Sequence, residues 1–147
     1  MGYWEIFDHG ADIGIRGIGS NLEEAFKMAA TALFSLMYPN IQKITDKDIK
    51  SFQTKEVTFK CSAIDIEYLF VEFLNTLISK SDLLRLVFFD FDITINKVKL
   101  TCFAKAKGIP LTEDICLDGL EVKAATYCEL KVKKENSHWI AQCVVDV

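Results

Sequence analysis

The chain has 147 residues, half of them hydrophobic, with 11 phenylalanines and a formal charge of -4 from 21 acidic and 17 basic side chains. That apolar mass can fill one substantial core and excludes a disordered chain. The acidic balance argues against a broad basic face that grips nucleic acid. No apolar run is long enough to span a bilayer, and Met1 to Phe7 lack a basic region followed by an apolar stretch. The expectation is a cytoplasmic protein that does not contact membrane.

Tyr3 to Phe7 is aromatic and branched and predicts a short strand, and Asp12 to Ile18 predicts a second, with Gly14, Gly17 and Gly19 marking a bend or close approach. Ser20 or Asn21 can cap the helix that follows, with Glu23 or Glu24 at capping-box distance. Leu22, Ala25, Phe26, Ala29, Leu33, Phe34, Leu36 and Met37 recur at helical spacing, and the helix should stop before Pro39. Asn40 to Lys50 is polar and reads as a connection.

Val57, Phe59 and Cys61 alternate with polar residues as a strand with one wet face. Ser62 can cap a second helix, with Asp65 as the acid of its box and a stripe of Ile66, Leu69, Phe70, Phe73, Leu74 and Leu77. Leu86 to Ile95 and Val98 to about Lys107 predict a hairpin turning at Asn96-Lys97, and Gly108 to Gly119 should be mostly loop. Val122 to Val132 and Trp139 to Val145 predict a last antiparallel pair. The fold class that follows is α+β: a single two-layer domain over residues 1–147, with two helices packed on one face of a mostly antiparallel or mixed sheet.

Five cysteines without a Cys-x-x-Cys spacing suit free thiols better than zinc or a disulfide scaffold, with Cys61, Cys102, Cys128 and Cys143 expected to be buried. No nucleophile elbow, phosphate-cradling loop or dinucleotide fingerprint is present. The informative residues are Asp12, near the start in Phe7-Asp8-His9-Gly10-Ala11-Asp12, and Asp146, in the closing Val144-Val145-Asp146-Val147. If the two strands lie side by side, Asp12, Asp146 and a terminal carboxylate on Val147 converge. Carboxylates gathered in that way need a cation, and oxygen donors favour a hard divalent metal. His9 is either a structural hydrogen-bonding partner of the Gly10 turn or an accessory ligand or base. Lys123 either snorkels past the core or pairs with an acid of the site or of a partner.

Three segments together resemble the archease family. They are Asp8-His9-Gly10-Ala11-Asp12-Ile13-Gly14-Ile15 with Asn21-Leu22-Glu23-Glu24-Ala25-Phe26, then Asp65 to Asn75, then Glu121-Val122-Lys123-Ala124-Ala125-Thr126-Tyr127 with the closing Val144 to Val147. The resemblance implies a non-enzymatic accessory protein of the RNA ligase that joins RNA ends in tRNA splicing and RNA repair. That ligase uses manganese and GTP, and archeases promote attachment of GMP to its histidine and sustain multiple turnover. The resemblance also implies that Asp12, Asp146 and Val147 hold a divalent cation, calcium first, with magnesium or manganese as alternatives, and that RNA is contacted mainly through the ligase. His9 and Lys123 are the candidate accessory or partner contacts. A general protein chaperone is the alternative function, and a metal-dependent phosphatase or nuclease a lesser one. The chain departs from the family pattern at Ile109, where many members carry glutamate, at Cys116 and Cys128, which replace histidines, and at Phe73, which replaces a tryptophan.

Overall fold

A computed structural model describes residues 2–43 and 53–147. Strands β1 (Tyr3–His9) and β2 (Asp12–Gly19) form a hairpin and lead into helix α1 (Leu22–Met37) and a 3-10 turn (Pro39–Lys43). The rest of the expected polar connection, 44–50, lies outside the described residues. Strand β3 (Lys55–Ser62), helix α2 (Ile66–Leu84), and strands β4 (Leu86–Asn96) and β5 (Thr101–Pro110) follow. One turn of helix, α3 (Glu113–Cys116), precedes β6 (Ala124–Ala125), β7 (Lys131–Glu135) and β8 (His138–Asp146).

The described strands form two sheets instead of the one expected, and every pairing is antiparallel. The first runs β1-β2-β8-β6, with β7 also on β8, and the second runs β3-β5-β4. Helix α1 explains the division, because it is buried on two sides of different character. Ala25 and Ala29 press their backbone against Gly17 of the first sheet, where an added Cβ would lie 2.1 Å from the Ala25 carbonyl oxygen. Phe34 faces the second sheet and meets Phe88 at 5.6 Å and Phe91 at 5.9 Å between ring centroids. Phe26 meets Phe70 and Phe73 of α2 at 5.1 and 5.3 Å. These offset and edge-on contacts add to the burial of large apolar rings. Phe73 and Ile109 are both fully buried core residues.

The local signals at helix ends fall close to expectation, with two shifts. Asn21 is the cap of α1, accepting from the Glu24 amide at 2.8 Å, while the Glu24 carboxylate reaches back to the Ser20 amide at 2.8 Å. Asp65, not Ser62, caps α2 by accepting from the Tyr68 amide at 2.8 Å, and Ser62 ends β3. α2 stops at Arg85, which takes a left-handed conformation (φ 56°) that most side chains resist. The hairpin expected at Asn96-Lys97 turns over residues 97–100, with Asn96 Oδ1 accepting from the amides of Val98 and Lys99.

The expected strand Val122 to Val132 is broken. Between the β8 partners of Ala125 (Val145) and Lys131 (Gln142), the chain bulges outward through Thr126, Tyr127, Cys128, Glu129 and Leu130, and Glu129 sits at φ 53°. No helix among the described residues is long and apolar enough to cross a membrane.

Candidate metal and partner site

The β1–β2 turn is two residues long, Gly10-Ala11, with Gly10 at φ 62° and His9 paired to Asp12 across it. Glycine at the first central position is what a tight hairpin of this kind requires. On the other side of β2, Ile13 pairs with Val145 of β8. The register carries Asp12 to the position opposite Asp146, and Asp146 is in turn paired with Ala124 of β6. His9, Asp12, Asp146 and Ala124 therefore form one row across four strands. Directly opposed residues of antiparallel strands share a face, with Cα atoms about 4.5–5.5 Å apart.

That face is the outer one, away from α1. The inner face carries Ile15, Cys143 and Val145, all fully buried. Asp12 is half-buried and Asp146 exposed, and neither side chain has an ion pair or hydrogen bond among the described residues. The side chain of Val147 packs against the core. No group of three or more His, Cys, Asp or Glu side chains capable of holding a metal occurs among the described residues. The side chains that this corner could offer a cation are thus the two carboxylates of Asp12 and Asp146, fewer than such a group of three. Such an oxygen-only, incompletely filled set fits a calcium or magnesium ion and does not fit zinc.

The corner is braced from both sides. The Lys123 amide donates to the Asp146 carbonyl at 2.8 Å. Asn75 of α2 seals the free edge of β6, its Oδ1 accepting from the Ala125 amide at 2.8 Å and its Nδ2 donating to the Ala125 carbonyl at 3.4 Å. The amide and hydroxyl of Thr126 both donate to the Val144 carbonyl, at 3.0 and 2.7 Å. His9 turns its Nε2 toward the Cys128 thiol, 3.8 Å away, so its ring faces the bulge and not the Gly10 turn. Cys128 is exposed, contrary to the sequence expectation, because it lies in the bulge and not in a strand.

Lys123 is exposed, with no ion-pair partner among the described residues, and it lines a cavity of about 590 Å³ with Tyr38, Ser81, Cys116 and Glu121. That cavity includes neither aspartate. His138 is exposed at the start of β8, far along the strand from Asp146. Sequence reasoning did not single out Asn75, Thr126 or Tyr127 for the site. Reading Val122 to Val132 as one continuous strand concealed the bulge that gives the last two their positions.

Solved structures share this architecture. Protein 1598 of Methanobacterium thermoautotrophicum superposes with a TM-score of 0.70 over 98% of both chains at 23% identity. A Thermotoga maritima protein described as an archease and possible chaperone gives 0.62 over 97% of this chain and 96% of the other, at 19% identity. The chain matches the model of the Archease protein family (MTH1598/TM1083) over residues 4–147. It is 37% identical over 150 residues to protein archease of Pyrococcus abyssi and 33% identical over 147 residues to that of Sulfurisphaera tokodaii, each alignment covering both chains completely. The chain belongs to the archease family.

Proposed function

We propose that this chain is a non-enzymatic, divalent-metal-binding activator of a GTP-dependent RNA ligase in tRNA splicing or RNA repair. In this reading it promotes guanylylation of the ligase histidine and sustains repeated turnover. The observation that supports it is the pairing of β2 with β8, which sets the Asp12 and Asp146 carboxylates on one open face within a family fold. Asp12, Asp146 and Val147 would hold the cation, with His9 and Lys123 at the edge available to a partner. A divalent cation held there would offset charge on phosphate groups at the ligase active site. The protein's own part is to keep two carboxylates fixed at adjacent strand ends: the Lys123 amide holds Asp146 in place, and Asn75 holds the neighbouring β6 strand.

The test is a kinetic comparison of ligase alone, ligase with this protein, and ligase with its Asp12→Ala or Asp146→Ala variant. Stimulation of GMP attachment and of multiple turnover by the native chain, lost with either variant, is the expected result. Equal rates in all arms would overturn the activator reading. The description of the Thermotoga protein as a possible chaperone keeps one rival in view. That rival predicts suppressed aggregation of unrelated proteins, insensitive to guanine nucleotide and to both substitutions.

A further inference from the structure

In the second sheet, Cys61 of β3 and Cys102 of β5 stand directly opposite each other. The end of that ladder fixes the geometry of the pair. The Ala63 amide donates to the Leu100 carbonyl at 3.2 Å, and hydrogen-bonded pairs recur every second residue along an antiparallel ladder. Counting two residues back makes Cys61 and Cys102 such a pair, with Cα atoms about 5.5 Å apart. That separation suits a disulfide, and directly opposed side chains share a face. Both side chains lie on the core side of the sheet, Cys61 at 8% exposure and Cys102 at 0%. The Cys102 thiol donates to the Cys61 sulfur, which holds Cys61 below the ordinary thiol value and raises Cys102. Cys143, the third buried thiol, stands opposite Ile15 in the other sheet. Among the described strands β3 is an edge strand, held by β5 alone.

We propose that Cys61 and Cys102 are a redox modification site, closing to a reversible disulfide in hydrogen peroxide and fastening edge strand β3 to β5. Cys61 is the attacking thiol, because it is the better ionised of the two and the nearer to solvent. Its sulfur attacks one peroxide oxygen: an S–O bond forms, the O–O bond breaks, and hydroxide leaves as water with the thiol proton. The resulting sulfenic acid lies against Cys102, whose sulfur attacks that of Cys61. An S–S bond forms, the S–O bond breaks, and the second hydroxide takes the Cys102 proton. Two thiols thus lose two electrons, and one peroxide is reduced to two waters. Peroxide is small enough to reach a sulfur that a bulky reagent cannot. A thiol donor reverses the bond by exchange.

The test begins with the native chain, its exposed Cys116 and Cys128 capped by N-ethylmaleimide. Hydrogen peroxide is added and then removed with catalase, and the protein is unfolded in iodoacetamide for mass analysis and peptide mapping. Thiols that react on unfolding should fall from three to one, with a mass loss of about 2 Da before alkylation. One peptide pair should be linked through Cys61 and Cys102, and dithiothreitol should restore both thiols. Hydrogen exchange should show the β3 amides better protected in the oxidised protein than in the reduced one. Cys102→Ser should stop at the sulfenic acid, trapped by dimedone at Cys61, while Cys61→Ser should leave Cys102 a thiol. Three thiols still free after peroxide, a linked peptide containing Cys143, or Cys61 carried to sulfinic acid beside an unreacted Cys102 would each overturn the proposal. A bond that forms without slowing exchange in β3 would overturn the fastening.

Discussion

All five cysteines are free thiols, three of them buried (Cys61, Cys102, Cys143) and two exposed (Cys116, Cys128). Burial pushes the Cys143 thiol up to about 12, and Cys102 is raised further by its hydrogen bond with Cys61 and by burial. The thiolate is the reactive form, so Cys102 and Cys143 are protected both by burial and by their raised titration, while Cys61 is protected by burial. With a disulfide reagent at neutral pH, two thiols should react in the native protein and the other three only on unfolding. Rapid modification of a third would mean that a sheet opens locally.

Glu24 is the residue whose acid behaviour can be given a sign. Its hydrogen bond from the Ser20 amide holds the carboxyl below the usual carboxylate range. A lowered value in the folded state means that the ionised form favours folding. That contribution is present at neutral pH and disappears as pH falls through the lowered value. Urea melts should therefore show the native chain losing more stability than Glu24→Gln between about pH 5 and about pH 3. Equal losses would detach Glu24 from acid sensitivity.

Elements carry the parts of the fold that periodicity could and could not disclose. The α1 stripe was legible because Leu22, Phe26, Leu33 and Phe34 repeat at helical spacing, and the buried α2 residues follow the same rule. The splitting of the strands into two sheets was not legible. Alternation tells which face of a strand is apolar but not which strand it joins. The clue lay in α1, where alanines 25 and 29 stand opposite glycine and phenylalanines 26 and 34 opposite other rings. That arrangement suits a helix buried on two sides and not one resting on a single sheet. Gly17→Ala should test it, since the new methyl meets main-chain atoms that cannot move aside as a side chain would. Overpacking of this kind costs about 1–3 kcal/mol, to be read from the denaturation midpoint at unchanged slope.

The carboxylate corner was legible at its two ends and not between them. Asp12 and Asp146 stand out as charges within apolar strand ends, but the bracing by Asn75 depends on α2 lying along the β6 edge, which no local pattern specifies. Asn75→Ala would strip the Ala125 amide of its acceptor, at a cost of about 1–3 kcal/mol for a buried donor. It should also weaken cation binding without touching a ligand. Asn75→Asp, which keeps an acceptor for that amide, should retain more of the affinity than alanine does.

At the scale of the whole molecule, β2 comes from the beginning of the chain and β8 from its end, so a cation shared by Asp12 and Asp146 would join the two extremities of the first sheet. Such a cation binds the folded state alone, because the unfolded chain separates its ligands by more than a hundred residues. A hundredfold excess over the dissociation constant then adds about 2.7 kcal/mol, or roughly 5–10 °C in Tm for a chain of this length. Without the cation the sign reverses. Two like charges directly opposed across a strand pair destabilise it by about 0.2–1 kcal/mol, so Asp146→Asn should leave the metal-free protein as stable as the native chain or more so. Thermal melts of both proteins, in chelator and in excess calcium, should therefore cross: the variant melts at the higher temperature in chelator and the native chain does so in calcium. A general loss of packing in the variant would lower its melting temperature in both conditions, and an indifferent surface aspartate would leave the curves superimposed. Only carboxylates that repel each other when empty and share an ion when loaded produce the crossing, and its absence would remove the physical basis for assigning a metal to this corner.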